Sequence, residues 1–145
     1  MAEDLLLEVV TPEREVVREH VSEVQVPANT GYLGVLPGHT PLLTELGIGA
    51  LSYKTAGETR FVAVIGGFAE VLPDRVTVLA DSAERAEEID VVAARANLEA
   101  AEKAATPGPD AATTDWDAKQ RYVTAAKTRL EVAEHSGRLI TGAAH

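Results

Sequence analysis

The chain reads as an N-terminal all-β sandwich followed by a C-terminal two-helix antiparallel hairpin. Three observations predict this. Residues 4–80 are rich in Val, Leu and Ile and are interrupted by Gly or Pro every several residues, which is the punctuation of strands. Residues 83–105 hold nine alanines with several Glu, Arg and Lys and neither Gly nor Pro, which favours helix. Thr106-Pro107-Gly108-Pro109 stops that helix before a second helical stripe begins. The β domain is accordingly placed at 1–82 and the helical hairpin at 83–145, with a loop at 106–114.

The strands follow in order. Leu5-Leu6-Leu7-Glu8-Val9-Val10 is the first, ended by Thr11-Pro12. Glu15–Glu19 is a short second, and Val21–Val26 a third that stops at Pro27-Ala28-Asn29-Thr30-Gly31. Gly31, Gly34, Pro37, Gly38, Pro41, Gly47 and Gly49 then imply short strands and tight corners. Ile48–Thr55 and Arg60–Ile65 flank a turn at Ala56-Gly57-Glu58, and Gly66-Gly67 marks a break or bulge. Phe68–Leu72 and Arg75–Ala80 form a hairpin around Pro73-Asp74. The count is about ten short strands, the pattern of a sandwich or barrel.

In the first helix Ile89, Val92, Ala93, Ala96 and Ala100 follow helical spacing. The second starts near Thr114, with Asp115 and Asp117 in its first turn, where the helix dipole favours anions. Its stripe is Trp116, Val123, Ala126, Leu130 and Ala133, and Ser136-Gly137 is expected to end it before a frayed tail from Leu139 to His145. Stripes made of alanine bury little apolar area, so the hairpin alone is marginal. It must pack on the β domain or on another protein, and it can exchange between the two.

A chain of 145 residues suits one domain with a small appendage. Lys plus Arg is 13 against 23 for Asp plus Glu, a net charge of -10, so broad nucleic-acid binding is not expected. The absence of cysteine excludes disulfides, Cys-ligated zinc, iron–sulfur clusters and thiol nucleophiles. Met1-Ala2-Glu3-Asp4 is acidic, unlike the basic start of a secretory signal. The apolar run Phe61–Ile65 is far shorter than the ~20 residues of a membrane span, so contact with a membrane is expected only through a partner. Charge is uneven: residues 1–87 carry 6 basic against 14 acidic side chains. Residues 118–138, by contrast, hold Lys119, Arg121, Lys127, Arg129 and Arg138 against Glu131 and Glu134. The second helix is locally basic, either as a solvated face or as a surface for an acidic partner.

No catalytic constellation emerges. His20, His39, His135 and His145 form no metal-binding pair, so no metal site is predicted. His39 lies in Leu36-Pro37-Gly38-His39-Thr40-Pro41-Leu42, where an interface or structural hydrogen bond outweighs general-base chemistry. The Gly31–Gly38 stretch lacks the lysine of a phosphate loop, and no serine has a nucleophile setting. The chain is not expected to be an enzyme by itself.

Gly34-Val35-Leu36-Pro37-Gly38-His39-Thr40-Pro41-Leu42-Leu43-Thr44 resembles the G-[ILV]-x-P-G-H-x-P-[LF]-[LV] segment of the epsilon subunit of F-type ATP synthases. Gly66-Gly67-Phe68-Ala69-Glu70-Val71 and Val76-Thr77-Val78-Leu79-Ala80-Asp81 are similar to later blocks of that family, in the same order. The resemblance spans essentially the whole chain. It implies a central-stalk rotor component, itself non-catalytic, peripheral on the cytoplasmic face of a bacterial plasma membrane. Its partners would be the gamma subunit, the c-ring and, through the C-terminal helices, the alpha and beta catalytic subunits, whose ATP hydrolysis those helices can inhibit. Tyr32, Leu33, Pro37, Gly38, His39, Pro41 and Leu42 are the candidates for the gamma and c-ring contact. Lys119, Arg121, Lys127 and Arg129 are the candidates for the inhibitory one. Some family members bind ATP as a regulatory ligand through an I-D-x-x-R-A motif. Here Ile89, Asp90 and Arg129 match, but Ala93 and Ala125 stand where arginines are expected, which removes much of a phosphate clamp. No resident cofactor is expected, and Asp90 also reads as a helix cap. The alternatives are a stand-alone ATP-sensing module and a small hydrolase dependent on His39.

Overall fold

The computed structural model describes the backbone of residues 4–105 and 113–143 and the side chains of 4–105 and 116–135. Among the described residues there are seven strands: β1 (Leu5–Val10), β2 (Glu15–Val21), β3 (Glu23–Ala28), β4 (Gly31–Val35), β5 (Leu42–Thr55), β6 (Glu58–Leu72) and β7 (Arg75–Arg85). They pair in the order β2-β1-β7-β6-β5-β3-β4, and the β1–β7 pair is parallel. The sheet folds over on itself, so that β2 at one edge packs against β5, and the two layers enclose one core. Leu5, Leu7, Val9, Val24, Val26, Leu51, Val62, Val64, Val71, Val76 and Val78 are wholly buried there.

The expected ten short strands are seven, because β5, β6 and β7 run 14, 15 and 11 residues. The glycines bend these strands without ending them. The core-facing residues of β6 are Val62 and Val64 before the bend and Ala69 and Val71 after it, a switch of parity. The same switch separates Leu46 from Leu51 on β5, and Ala80 from Ala83 on β7. Ladder partners Leu46, Gly67 and Ala80 lie on one side of the bend, and Ile65 and Ser82 on the other. At the bend Gly66 and Gly67 have φ of 70° and 114°. A Cβ on Gly67 would run into the Leu79 carbonyl oxygen, so only glycine fits. The register either side of the pair is unbroken, so this is a bend with no inserted residue. Tight turns at Ala56-Gly57, both with positive φ, and at Pro73-Asp74 close the two long hairpins.

β7 continues past residue 82 to Arg85 and is followed by a 3-10 turn at Ala86–Glu88. The first helix is therefore shorter than the alanine-rich stretch: α1 spans Val91–Ala104. Asp90 sets its start by accepting from the amides of Val92 (2.9 Å) and Ala93 (3.1 Å). α2 spans Thr113–Ala143, so Ser136-Gly137 does not end it. One interior glycine costs a helix only about 1 kcal/mol. Much of the expected 106–114 loop, and His145, lie outside the described residues.

α2 is the middle layer: it packs on β5, β6 and the 3-10 turn, and α1 packs on α2. A second apolar cluster joins Ala63, Ala86, Ile89, Ala94, Val132 and Ala133. Of the predicted stripe of the first helix, Ile89 is buried just before α1, but the residues within α1 are on the wrong face. Val92 is 74% exposed, and Ala93, Ala96 and Ala100 also face out, whereas Ala94 and Ala105 are buried and Val91, Leu98 and Ala101 half-buried. Both faces have helical spacing, and the one carrying Leu98 wins by covering more apolar area. In α2, Ala126 and Ala133 are buried and Val123 and Leu130 half-buried, but Trp116 is exposed, and Val132 is buried as well.

Candidate functional site

The outer surface of the bent sheet carries an apolar row. Beyond the bend, core residues alternate with outward ones, and the outward side should be polar. It holds instead Leu43, Phe68 and Leu79, which are 69%, 53% and 57% exposed. Phe68 and Leu79 are direct cross-strand partners, and Leu79 is flanked on β1 by Val10. Glu8, Glu45 and Glu70 lie on the same face and rim the row, by the registers Glu8↔Thr77, Glu45↔Phe68 and Leu43↔Glu70. Large apolar groups so placed make this face the candidate contact surface. Sequence reasoning left out Leu43, Phe68 and Leu79. Their signal was alternation: Phe68 and Leu79 sit out of phase with Ala69, Val71, Val76 and Val78.

The Pro37–Leu42 loop adjoins this face. It is pinned by Gly38 N–H donating to the Pro73 carbonyl (2.7 Å) and His39 N–H to that of Leu36 (3.1 Å). His39 Nδ1 donates to the Thr40 carbonyl at 2.7 Å, so the ring stiffens its own loop. Leu36, Gly38, Pro41 and Leu42 are exposed, and Pro37 and His39 half-buried. Tyr32 and Leu33 do not join that group. Tyr32 is 58% exposed on the edge strand β4, and its hydroxyl accepts from the Ala50 amide (3.2 Å). It borders a cleft of about 700 Å³ between the β domain and α2, where Asn29, Glu45, Gln120, Arg121 and Thr124 also line the wall. Leu33 packs against the main core.

The four α2 cations separate. Arg121 and Lys127 are exposed and Lys119 half-buried. Arg129 instead lies against β7, where its Nε and Nη2 donate to Glu84 Oε1 (2.7 Å) and Oε2 (3.2 Å). The residues matching the ATP motif serve the chain itself: Ile89 is in the second cluster, Asp90 caps α1 and Arg129 holds Glu84. At the junction of the two parts Arg14 reaches from the β1–β2 loop and grips Glu88 with two bonds of 2.7 and 2.9 Å. The Arg14 guanidinium, helped by the Arg85 amide, holds the Glu88 carboxyl down at about 2. Among the described residues no group of three or more His, Asp and Glu could hold a metal ion, and no helix is long and apolar enough to cross a membrane.

This architecture has clear relatives. Residues 4–86 match the family described as ATP synthase, Delta/Epsilon chain, beta-sandwich domain. The ATP synthase epsilon chain of Solibacter usitatus is 63% identical over 105 residues, 72% of this chain and 78% of that one. That of Syntrophobacter fumaroxidans is 46% identical over 134 residues, 92% of this chain and 98% of that one. Among solved structures, a chain of the Euglena gracilis mitochondrial ATP synthase, from its OSCP/F1/c-ring assembly in rotational state 1, superposes with a TM-score of 0.75. Its identity is 25%, and the match covers 91% of this chain and 82% of that one. A chain of the Tetrahymena thermophila mitochondrial ATP synthase, from the central stalk and c-ring, shares the fold at a TM-score of 0.58 and 12% identity, over 92% of this chain and 97% of that one. The chain belongs to the epsilon-subunit family of F-type ATP synthases.

Proposed function

We propose that this chain is the non-catalytic joint of an ATP synthase rotor, with its β domain as the grip and its helical hairpin as a brake on ATP hydrolysis. The single observation that carries the grip is the exposed row of Leu43, Phe68 and Leu79, with the stiff Pro37–Leu42 loop beside it. A rigid, part-apolar face on a packed sandwich binds without a large ordering cost. Its partner in this reading is the gamma subunit. Tyr32, on the edge strand β4 beside the α2 cleft, is assigned to the polar loops of the c-ring. The protein would sit on the cytoplasmic side of the membrane, attached through the complex.

The brake rests on the thin packing of α2. Lys119, Arg121, Lys127 and Arg129 would meet acidic surface on the alpha and beta subunits once the hairpin extends. ATP is not assigned as a ligand. The clamp lacks two guanidiniums at Ala93 and Ala125, and Arg129 already holds a carboxylate.

The test is capture of the purified chain by immobilised recombinant gamma subunit. Wild type should be retained. Phe68→Asp and Leu79→Asp should each cut retention at least about tenfold while leaving the melting temperature nearly unchanged, because both side chains already face water. Retention equal to wild type for both variants would remove this face from the contact. ATPase assays of the assembled motor with and without residues 91–145 test the brake: hydrolysis should rise when they are absent.

A further inference from the structure

The hairpin leaves the β domain only if α2 does, because α1 packs chiefly on α2. The apolar hold on α2 is thin. In the second cluster α2 supplies buried Val132 and Ala133, against Ala63, Ala86 and Ile89, with Phe61, Ala50 and Leu130 half-buried around them, and its other buried apolar residue among those described is the small Ala126. The ring of His135 stacks on Phe61 with centroids 3.8 Å apart. A charged contact between Arg129 and Glu84 crosses the same seam. Arg129 and Glu84 meet through two parallel hydrogen bonds, with side chains only 26% and 31% exposed. A forked guanidinium–carboxylate pair, shielded on one side by packed helices, is stronger and more directional than an exposed surface pair.

We propose that Glu84 and Arg129 form a charged latch that sets how readily the hairpin leaves the β domain. Glu84 comes from the last strand and Arg129 from the middle of α2, so the bond spans the two parts. A guanidinium can pair bidentately in this way with one carboxylate at a time. While latched, Arg129 is withheld from any acidic partner, and released, it joins Lys119, Arg121 and Lys127 on a basic helix. Glu84 thus competes, from inside the chain, with the carboxylates the extended helix would meet. This last step rests on the brake reading, whereas the latch does not.

Hydrogen exchange on the isolated full-length chain tests the latch. Glu84→Gln and Arg129→Gln should each speed exchange of the α2 amides by about tenfold, the effect of losing one charge-assisted contact. Exchange in the β1–β7 ladders should stay at the wild-type rate, which shows that the variants fold. The two changes together should do no more than either alone, and the swapped pair Glu84→Arg with Arg129→Glu should slow exchange again. Unchanged α2 exchange in the single variants, or effects that multiply in the double, would overturn the latch. In the assembled motor, Glu84→Gln should deepen the inhibition of hydrolysis. Faster α2 exchange with unaltered inhibition would overturn the brake reading and leave the latch standing.

Discussion

Glu88 shows how single residues tie the two parts of the chain together. It accepts two hydrogen bonds from Arg14 and one from the Arg85 amide, so its charged form is favoured strongly in the folded state. Its pKa falls from 4.5 to about 2. A depressed folded-state value means that Glu88 contributes stability above its unfolded pKa. That contribution is lost as pH falls from about 4.5 through about 2. The expected outcome is an unfolding free energy that declines over this acid window. Arg14→Gln should flatten the part due to Glu88 and return its carboxyl towards 4.5, as read by carbon-detected NMR titration. A Glu88 that titrates near 4.5 in the wild-type chain would contradict the junction described here.

At the scale of elements, α2 is the piece whose packing matters most. It has apolar contacts on opposite sides, to the sheet and to α1, whereas α1 has an outer face turned to water. Val132 is wholly buried in the second cluster and Val92 is 74% exposed. Val132→Ala should therefore weaken hairpin docking by about 1–2 kcal/mol, from lost burial and an unfilled space. Val92→Ala should be silent within about 0.5 kcal/mol. Hydrogen exchange of the α1 and α2 amides reads both. Equal effects of the two substitutions would mean that the hairpin docks by another face.

For the whole molecule, the two apolar clusters divide the chain. The main core draws every one of its buried residues from the strands. The second cluster lies on the opposite side of β6, where Ala63 turns away from Val62 and Val64 towards α2. A chain ending after Asp90 should keep the main core, fold cooperatively and still bind gamma. Its melting temperature should lie within about 5 °C of the β-domain transition of the full chain, since the lost contacts are small. Calorimetry checks this, and a truncated chain without a cooperative transition would show that the hairpin is part of one indivisible fold. On the proposed function, the same separation would let the hairpin move without disturbing the β domain.

The sequence by itself determined the β-then-α order, the Pro73-Asp74 and Ala56-Gly57 turns, the Asp90 cap and the blocks that carry the family. Each is local chemistry: a turn needs its glycine or proline, and a cap needs its carboxylate. Only the tertiary structure decided that the Gly66-Gly67 pair bends a long strand instead of dividing it, because a glycine's φ depends on what the strand must wrap around. It also decided which of two helical faces of α1 is buried, since both share the same periodicity and the burial follows from where α2 lies. The Leu43, Phe68 and Leu79 row became visible once strand register put distant residues side by side. Likewise Arg129 reads as one of several helix cations until folding brings Glu84, 45 residues away along the chain, within 2.7 Å of it.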